Sequence, residues 1–293
     1  MHGNIDRYEI FLITAELGSI TAAAERLGYT QSGVSRAIAM LEEECGFTLF
    51  VRSQKGVHLT GNGEQVLEPI RALVNDRQYL SQVIDEIKGL SSGTIRVGTF
   101  TSVSVNWLPK IIRGFQELYP NIIFQLFDAD YSEIIDLLEM GEIDCGFLSA
   151  PVPSGLNFIS LYKDPMLAVL PPDHTLAKEK SIRVEQLRDE PFLVPDTRND
   201  ADIRQLMEQL NIQPKIKYIL NNEISIAAMI EHGHGVTILP SLILKDQPIK
   251  VCLRSLSPPC YRELGIASRQ LRYVSPAARR FIEYTVEQIG PQH

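Results

Sequence analysis

Long apolar runs are missing from this sequence, although 44% of its 293 residues are hydrophobic. No stretch approaches the roughly 18 consecutive apolar residues that a membrane-spanning helix needs. The opening MHGNIDRYEI also lacks the basic and apolar regions of a secretory signal. These absences predict a cytoplasmic protein without a membrane partner. The length predicts two or three domains with well-packed cores.

Cysteine is scarce and widely spaced. The four cysteines are Cys45, Cys145, Cys252 and Cys260, and none of them forms a Cys-x-x-Cys motif. This pattern favours reduced, buried thiols over a disulfide framework or a zinc site.

Motifs of the common catalytic classes are absent as well. The sequence has no Gly-x-Ser-x-Gly nucleophile elbow, no phosphate-binding loop and no His-Glu-x-x-His. His232 and His234 would point in different directions on a helix, and the glycines beside them predict a helix end. We therefore expect a protein that is not an enzyme and that holds no metal or cofactor.

The first 60 residues predict short helices followed by a hairpin. Apolar residues at spacings of three and four form the buried stripe of a first helix: Ile5, Tyr8, Phe11, Leu12 and Ala15. A second helix, TAAAERL, is capped by Ser19 or Thr21 and ends at Gly28. A third helix is capped by Thr30 and has an apolar inner face: Val34, Ile38, Leu41 and Cys45. FTLFVRSQKGVHLT then predicts two short strands around a turn.

A long helix is predicted from about residue 62 to residue 88. Its apolar positions alternate at steps of four and three, with Arg77 at the one vacant position: Val66, Ile70, Leu73, Leu80, Ile84 and Ile87. This heptad seam implies a partner helix and hence a dimer. Pro69 is unfavourable inside a helix and predicts either a bend or a later helix start.

From Thr94 onward, apolar strand patterns alternate with helical patterns after the linker-like GLSSG at Gly89–Gly93. The predicted strands are IRVG, IIFQLF, IDCGFL, MLAVL, FLVP, IKYIL, VTIL and ELGIAS. Helices are predicted for LPKIIRGFQELY, SEIIDLLEM, IRQLMEQL, ISIAAMIEH and AARRFIEYTVEQI. Such alternation is typical of an α/β architecture with parallel strand pairs.

The third helix has a small, polar outer face, formed by Gln31, Ser32, Ser35 and Arg36. Small residues permit close approach to another surface, and these side chains can bond base edges and phosphates. LGYT before it is typical of the turn in a helix-turn-helix motif. Residues 1–60 nevertheless have a net charge of −2, and the whole chain −8. A polar surface without a DNA-binding role is the alternative.

The segment from Phe11 to Glu64 resembles the N-terminal domain of LysR-type transcriptional regulators. It carries an alanine-rich second helix, Q-S-x-x-S-R, L-E-x-E-x-G, L-F-x-R and L-T-x-x-G. MGEIDCGF and HGHGVTILP are similar to two later segments of the same family. The resemblance therefore extends over the whole chain. Gly33, inside the predicted recognition helix, departs from the helix former that is more usual there.

The resemblance implies a winged helix-turn-helix over residues 1–60 and a dimerising linker helix over 61–90. An effector-binding domain like that of periplasmic binding proteins would cover 91–293. Its two α/β subdomains would span 91–162 with 267–293, and 163–266. The chain is therefore expected to bind double-stranded operator DNA and a small-molecule effector, and to form homotetramers. Gln31, Ser32, Ser35 and Arg36 would enter the major groove, while Thr30, Arg52 and Lys55 would hold phosphates.

The effector pocket is expected beyond the C-terminal ends of the strands. Hydroxyls and free N–H groups after the first strand suit an anion, whereas the aspartates could receive an amine. The predicted pocket residues are Thr99, Phe100, Thr101, Ser102, Asp128, Phe147, Asp196, Thr197 and Asn222.

Two other functions remain open at this point. Cys252 and Cys260, eight residues apart, could serve a redox-responsive regulator of the same fold, although no cysteine follows FLVP through Leu210. A solute-binding protein shares the C-terminal architecture, but the missing signal sequence and the helix-turn-helix argue against it.

Overall fold

The computed structural model describes residues 7–53, 56–87, 92–196, 201–209, 213–270 and 274–290; within these ranges the side chains of Asp85, Glu86, Ala201 and Gln209 are not described. The chain divides into two compact units, Met1–Ile87 and Lys88–His293.

The first unit is a helical cluster with a small antiparallel hairpin. Its elements are α1 (Arg7–Leu17), α2 (Ile20–Leu27), α3 (Gln31–Cys45), β1 (Phe50–Ser53), β2 (Gly56–Leu59) and α4 (Gly61–Ile87). Ser19 caps α2 by accepting from the amide of Ala22 at 3.2 Å, so Ser19 rather than Thr21 is the cap. Gly28 ends α2 in the left-handed region at φ 68°. The predicted helices and hairpin are confirmed.

The buried side of α1 is wider than the predicted stripe, because it also includes Ile10 and Thr14. Phe11 packs in one core cluster with Leu41 and Leu49, and Ile10 packs in another with Ile38. Ile5 lies outside the described residues.

Helix α4 begins at Gly61 and continues through Pro69, so the later start predicted from Pro69 is wrong. Thr60 caps the first turn, accepting from the amide of Gly63 at 2.9 Å. Ile70 and Val74 are buried just beyond the proline. Capping and packing together therefore offset the hydrogen bond that Pro69 cannot donate.

The predicted seam of α4 divides into two parts. Val66 and Ile70 pack into the core of their own unit. The later members stay exposed: Leu73, Leu80, Ile84 and Ile87. The guanidinium of Arg77 is paired with the carboxylate of Glu9 at 3.0 Å.

The second unit is an α/β fold. Its strands are β3 (Ser92–Thr99), β4 (Asn121–Asp128), β5 (Cys145–Ser149), β6 (Asn157–Leu170), β7 (Ser181–Ile182), β8 (Pro191–Pro195), β9 (Lys215–Leu220), β10 (Thr237–Pro240), β11 (Cys252–Leu256) and β12 (Tyr261–Ser268). Its helices are α5 (Thr101–Asn106), α6 (Leu108–Leu118), α7 (Tyr131–Met140), α8 (Ala201–Gln209), α9 (Glu223–Glu231), α10 (Ser241–Leu244) and α11 (Pro276–Ile289).

Strand β6 belongs to two sheets. Residues 157–165 pair with β12, and residues 166–170 pair with β10 and β11. The strand order is β4-β3-β5-β12-β6-β11-β7, with β10 also on β6 and with β8 beside β9. Two separate apolar clusters, one around Phe115 and Phe281 and one around Phe192 and Ile226, mark two subdomains joined at β6 and β12.

The α/β architecture is confirmed, but only some pairs are parallel. Strands β3, β4 and β5 pair in parallel, as do β8 with β9 and β11 with β7. Strand β12 is antiparallel to both β5 and β6, because the chain runs back along β6 when it returns to the first subdomain. None of the helices in the described ranges is long and apolar enough to span a membrane.

Candidate functional site

The start of α3 is held by its N-cap and exposes a polar face. The Thr30 hydroxyl accepts from the amide of Gly33 at 3.1 Å and lies 3.1 Å from the Ser32 hydroxyl. Thr30, Gln31, Ser32 and Arg36 are exposed, and Ser35 is half-buried. Val34 and Ile38 are buried on the opposite face. The predicted contact residues of this helix therefore share one accessible surface.

The hairpin reaches this surface through an arginine. Nη2 of Arg52, on β1, donates to the hydroxyl of Ser35 at 2.8 Å. Arg36 has no hydrogen-bond or ion-pair partner in the described parts of the chain. Lys55 lies outside those parts, so its predicted phosphate contact stays a prediction. The face thus presents one free guanidinium and a second one tied to the helix.

Many acidic residues of this unit are engaged elsewhere. Glu44 is paired with Arg7 at 3.0 Å, and Glu16 with Arg26 at 2.7 Å. The Glu42 carboxylate accepts from two backbone amides at the start of the hairpin, at 2.7 and 3.2 Å. The net charge of −2 for residues 1–60 therefore does not describe the surface around the start of α3, where Arg36 and Arg52 lie.

A second candidate site is a cavity of about 400 Å³ between the two subdomains of the second unit. Its lining comes from the loop after β3, the loop after β4, the starts of α7, α8 and α9, and strand β12. The lining residues are Phe100, Thr101, Ser102, Asp128, Ala129, Asp130, Tyr131, Glu133, Asp202, Asn221, Glu223, Ile243 and Arg262.

Four predicted pocket residues line this cavity: Phe100, Thr101, Ser102 and Asp128. Thr99 is buried, and its hydroxyl lies 3.1 Å from that of Ser104. Asn222 caps α9, accepting from the amide of Ser225 at 3.1 Å, while its two chain neighbours line the cavity.

Two further predicted residues do not join them, and one is not described. Phe147 is fully buried and packs edge-on against Trp107 at a centroid distance of 6.2 Å. Both faces of β5 are covered, so the ring of Phe147 enters the core instead of the cavity. Asp196 is not among the lining residues, and its amide donates to the carbonyl of Leu220 at 2.8 Å. Thr197 lies outside the described residues.

One lining residue is a buried arginine that was not among the predicted pocket residues. Arg262 donates through Nε to Asp164 at 2.9 Å and through Nη2 to the hydroxyl of Ser102 at 2.9 Å. Nη1 donates to Asp202 at 3.1 Å and to the hydroxyl of Tyr131 at 3.3 Å. Burial alone would lower the pKa of Arg262, but the negative potential of Tyr131, Asp202 and Asp164 outweighs it and raises that pKa.

This network joins the two subdomains. Tyr131, at the start of α7, donates its hydroxyl proton to Asp202, at the start of α8, at 2.8 Å. Asp164 is completely buried and also accepts from the Ser241 hydroxyl at 2.7 Å and from the amide of Leu242 at 3.1 Å. The sequence offered little sign of this pair, because Asp164 and Arg262 lie just outside the predicted strands MLAVL and ELGIAS, next to the charged residues Lys163 and Glu263.

The two cysteines considered for redox sensing lie apart. Cys252 pairs with Leu170, and the carbonyl of Cys260 accepts from the amide of Met166 at 2.9 Å. Leu170 and Met166 are four residues apart on β6, so the Cα atoms of the two cysteines beside them are separated by about 13 Å or more. A disulfide requires a Cα separation of less than about 7 Å. Burial also raises the pKa of the Cys260 thiol. This geometry disfavours a disulfide between them.

Comparisons with known proteins agree on one family. Residues 5–64 match the model of the bacterial regulatory helix-turn-helix protein, lysR family. Residues 88–290 match the LysR substrate binding domain. The chain is 33% identical over 291 residues to the HTH-type transcriptional regulator YvbU of Bacillus subtilis, covering 98% of this chain and 99% of that one.

Solved structures share the fold. A full-length OxyR variant from Pseudomonas aeruginosa is 22% identical, with a TM-score of 0.78 that covers 99% of this chain and 95% of that chain. Full-length CbnR complexed with its target DNA is 18% identical, with a TM-score of 0.66 that covers 97% of this chain and 99% of that one.

Proposed function

The chain belongs to the LysR family of helix-turn-helix transcriptional regulators, and on that basis we propose that it binds a specific operator under the control of a small molecule. The observation that carries the DNA-binding role is the outer face of α3. Gln31, Ser32 and Arg36 are exposed there on a helix whose start is fixed by Thr30. A helix of this kind reads base edges in the major groove.

The position of Arg52 supports separate roles for the hairpin and α3, with phosphate contacts from the hairpin and base contacts from the helix. Because Arg52 is bonded to Ser35, the hairpin and α3 would meet DNA as one surface, with Arg52 directed to a phosphate beside the groove. Thr30 and Lys55 are proposed to hold phosphates as well. Phosphate contacts set position, and base contacts set sequence preference.

The operator-bound species is proposed to be a homo-oligomer that dimerises through α4 and assembles further to a tetramer. The exposed apolar residues of α4 support the dimer, since a solvent-exposed heptad seam buries its side chains against a second helix. A twofold dimer also doubles the number of cations presented to DNA. Binding to chromosomal DNA would place the protein in the cytoplasm.

The control element is proposed to be the cavity between the subdomains. A ligand there can shift the protein between two states only if it binds one of them more tightly. Arg262, Tyr131 and Asp202 connect the subdomains, so a ligand that alters their contacts alters the angle between the subdomains. A change in that angle would alter the arrangement of subunits in the oligomer and so the spacing or bend of the bound DNA.

Selection of bound fragments from genomic DNA tests the DNA-binding role. The protein is expected to enrich fragments with a shared inverted repeat. Their affinity, measured by fluorescence anisotropy at fixed salt, should exceed that of scrambled DNA by about 10³-fold or more. Equal affinity for both DNAs across a salt series would contradict sequence-specific regulation, because phosphate contacts alone give salt-dependent binding without preference.

A further inference from the structure

The buried guanidinium of Arg262 has one replaceable edge. Its side chain is 7% exposed, and Nε and Nη2 are held by Asp164, whose side chain is completely inaccessible. Asp164 also fixes the start of α10, so removing it would disrupt the crossover itself. Nη1 is different, because its partners Tyr131 and Asp202 both line the cavity.

The carboxylate of Asp202 occupies the place on Nη1 that a ligand acid would need. It lies 3.1 Å from Nη1 and its side chain is 8% exposed. A ligand carboxylate that replaced it would keep a counter-ion on the buried guanidinium, so Arg262 would not be left as an unpaired buried charge. The displaced carboxylate of Asp202 would have to move with the start of α8 into the cavity, where water can solvate it. The exchange would also break the hydrogen bond from Tyr131 to Asp202, which connects α7 with α8.

The rest of the cavity favours positive charge. Asp128, Glu133 and Glu223 line it, and their carboxylates have no hydrogen-bond or ion-pair partner within the described portion of the chain. A purely anionic ligand would be repelled by these groups, whereas an ammonium group would be attracted to them. The one guanidinium and the three free carboxylates together match a molecule with both charges.

We propose that this cavity binds an α-amino acid, whose carboxylate displaces Asp202 from Arg262 and whose ammonium group contacts the free carboxylates at the cavity wall. The inference rests on the proposed function, since it names the effector class of that cavity. Displacement of Asp202 frees α8 from Tyr131 and so gives the amino acid a direct effect on how the subdomains are held.

Isothermal titration calorimetry of the full chain against each of the twenty protein amino acids tests the ligand class. At least one is expected to bind. Its 2-oxo acid, which lacks the ammonium group, and its decarboxylated amine should each bind about tenfold more weakly or worse, because each loses a charged contact. Equally tight binding of the 2-oxo acid would contradict the role of the ammonium group, and equally tight binding of the amine would contradict the role of the carboxylate. If none of the amino acids binds, the whole inference is overturned.

A charge-neutral variant tests the displacement of Asp202. Asp202→Asn keeps the shape of the side chain but weakens its hold on Arg262, so the amino acid should bind about tenfold more tightly. Glu208→Gln is the matched control, because it removes the same charge from an exposed position on the same helix and should leave the affinity unchanged. Unchanged or weaker binding by Asp202→Asn would show that Asp202 does not compete with the ligand.

Operator binding without any amino acid separates this inference from the proposed function. Specific DNA binding combined with no amino acid binding would leave the regulator intact and reject the ligand class. Amino acid binding without specific DNA binding would support the ligand class and reject the proposed role as a DNA-binding regulator.

Discussion

At the scale of single residues, charge depends on what each group already contacts. Glu44 and Glu16 are paired, whereas Arg36 is exposed and unpaired within the described residues. An unpaired arginine on a helix face can form the bidentate contact with guanine that dominates major-groove recognition. The local surface, and not the net charge, therefore decides whether DNA is bound.

Replacing Arg36 by Ala should cost about 1–3 kcal/mol of specific binding and relax sequence preference at one position, if the guanidinium reads a base. Fluorescence anisotropy with the selected operator and its single-base variants measures both effects. Arg113→Ala, at another exposed arginine, is the control and should bind like the unaltered chain. A uniform loss across all sequences would instead assign Arg36 to a phosphate.

Two glycines let α7 lie close to the sheet beneath it. Gly98 on β3 and Gly146 on β5 are register partners, and a Cβ at Gly146 would lie 2.6 Å from a methyl of Ile134 on α7. Because α7 begins with Tyr131, this close packing positions one partner of the Arg262 network.

Gly146→Ala should destabilise the protein by about 1–3 kcal/mol through overpacking. Urea unfolding followed by circular dichroism measures the change. Gly155→Ala is the comparison, since a Cβ there meets nothing within 4 Å. Equal stability of the two variants would show that α7 moves away from the sheet at little cost.

At the scale of elements, local sequence patterns predicted the helices and strands themselves better than they predicted the contacts between them. Caps and glycines marked α2 and α3 correctly, because a cap bonds within its own turn. The later helix start that Pro69 predicted was wrong because the cost of a proline is local, while the burial of Ile70 and Val74 that offsets it depends on other elements. The extra width of the buried side of α1, at Ile10 and Thr14, also depends on its neighbours.

The exposed part of the α4 seam predicts dimerisation. Leu80 is 56% exposed and Ile84 41%, on a helix face that stays apolar. Replacing both with Glu should convert the dimer to monomers, because like charges would face each other across the seam. Sedimentation velocity measures the state. Gln78→Glu, at an exposed position on the opposite side of α4, should remain dimeric, and a persistent dimer in the double variant would place dimerisation elsewhere.

At the scale of the whole molecule, β6 and β12 connect two separately packed subdomains. Two closed cores joined by two strands can change their mutual angle without repacking either interior. The network of Arg262, Tyr131 and Asp202 forms hydrogen bonds between the two subdomains, so it would have to change if that angle changed.

Allosteric control requires reciprocal coupling. An effector that changes operator affinity by a given factor must have its own affinity changed by operator DNA by the same factor. Anisotropy gives the ratio of operator affinities with and without saturating effector, and calorimetry gives the ratio of effector affinities with and without saturating operator. The two ratios should be equal and about 5 to 150. Ratios of one in both experiments would contradict effector control of DNA binding.

The sequence by itself determined the helix-turn-helix, the long helix and the α/β alternation, because their signals are spacings and caps within one element. It also located the loop from Phe100 to Ser102 at the cavity. Only the tertiary structure decided that Tyr131, Asp164, Asp202 and Arg262 form one network. Their meeting depends on the register of β6 against β12 and on the packing of α7 and α8, and contacts between such distant segments leave no periodic signal in the chain.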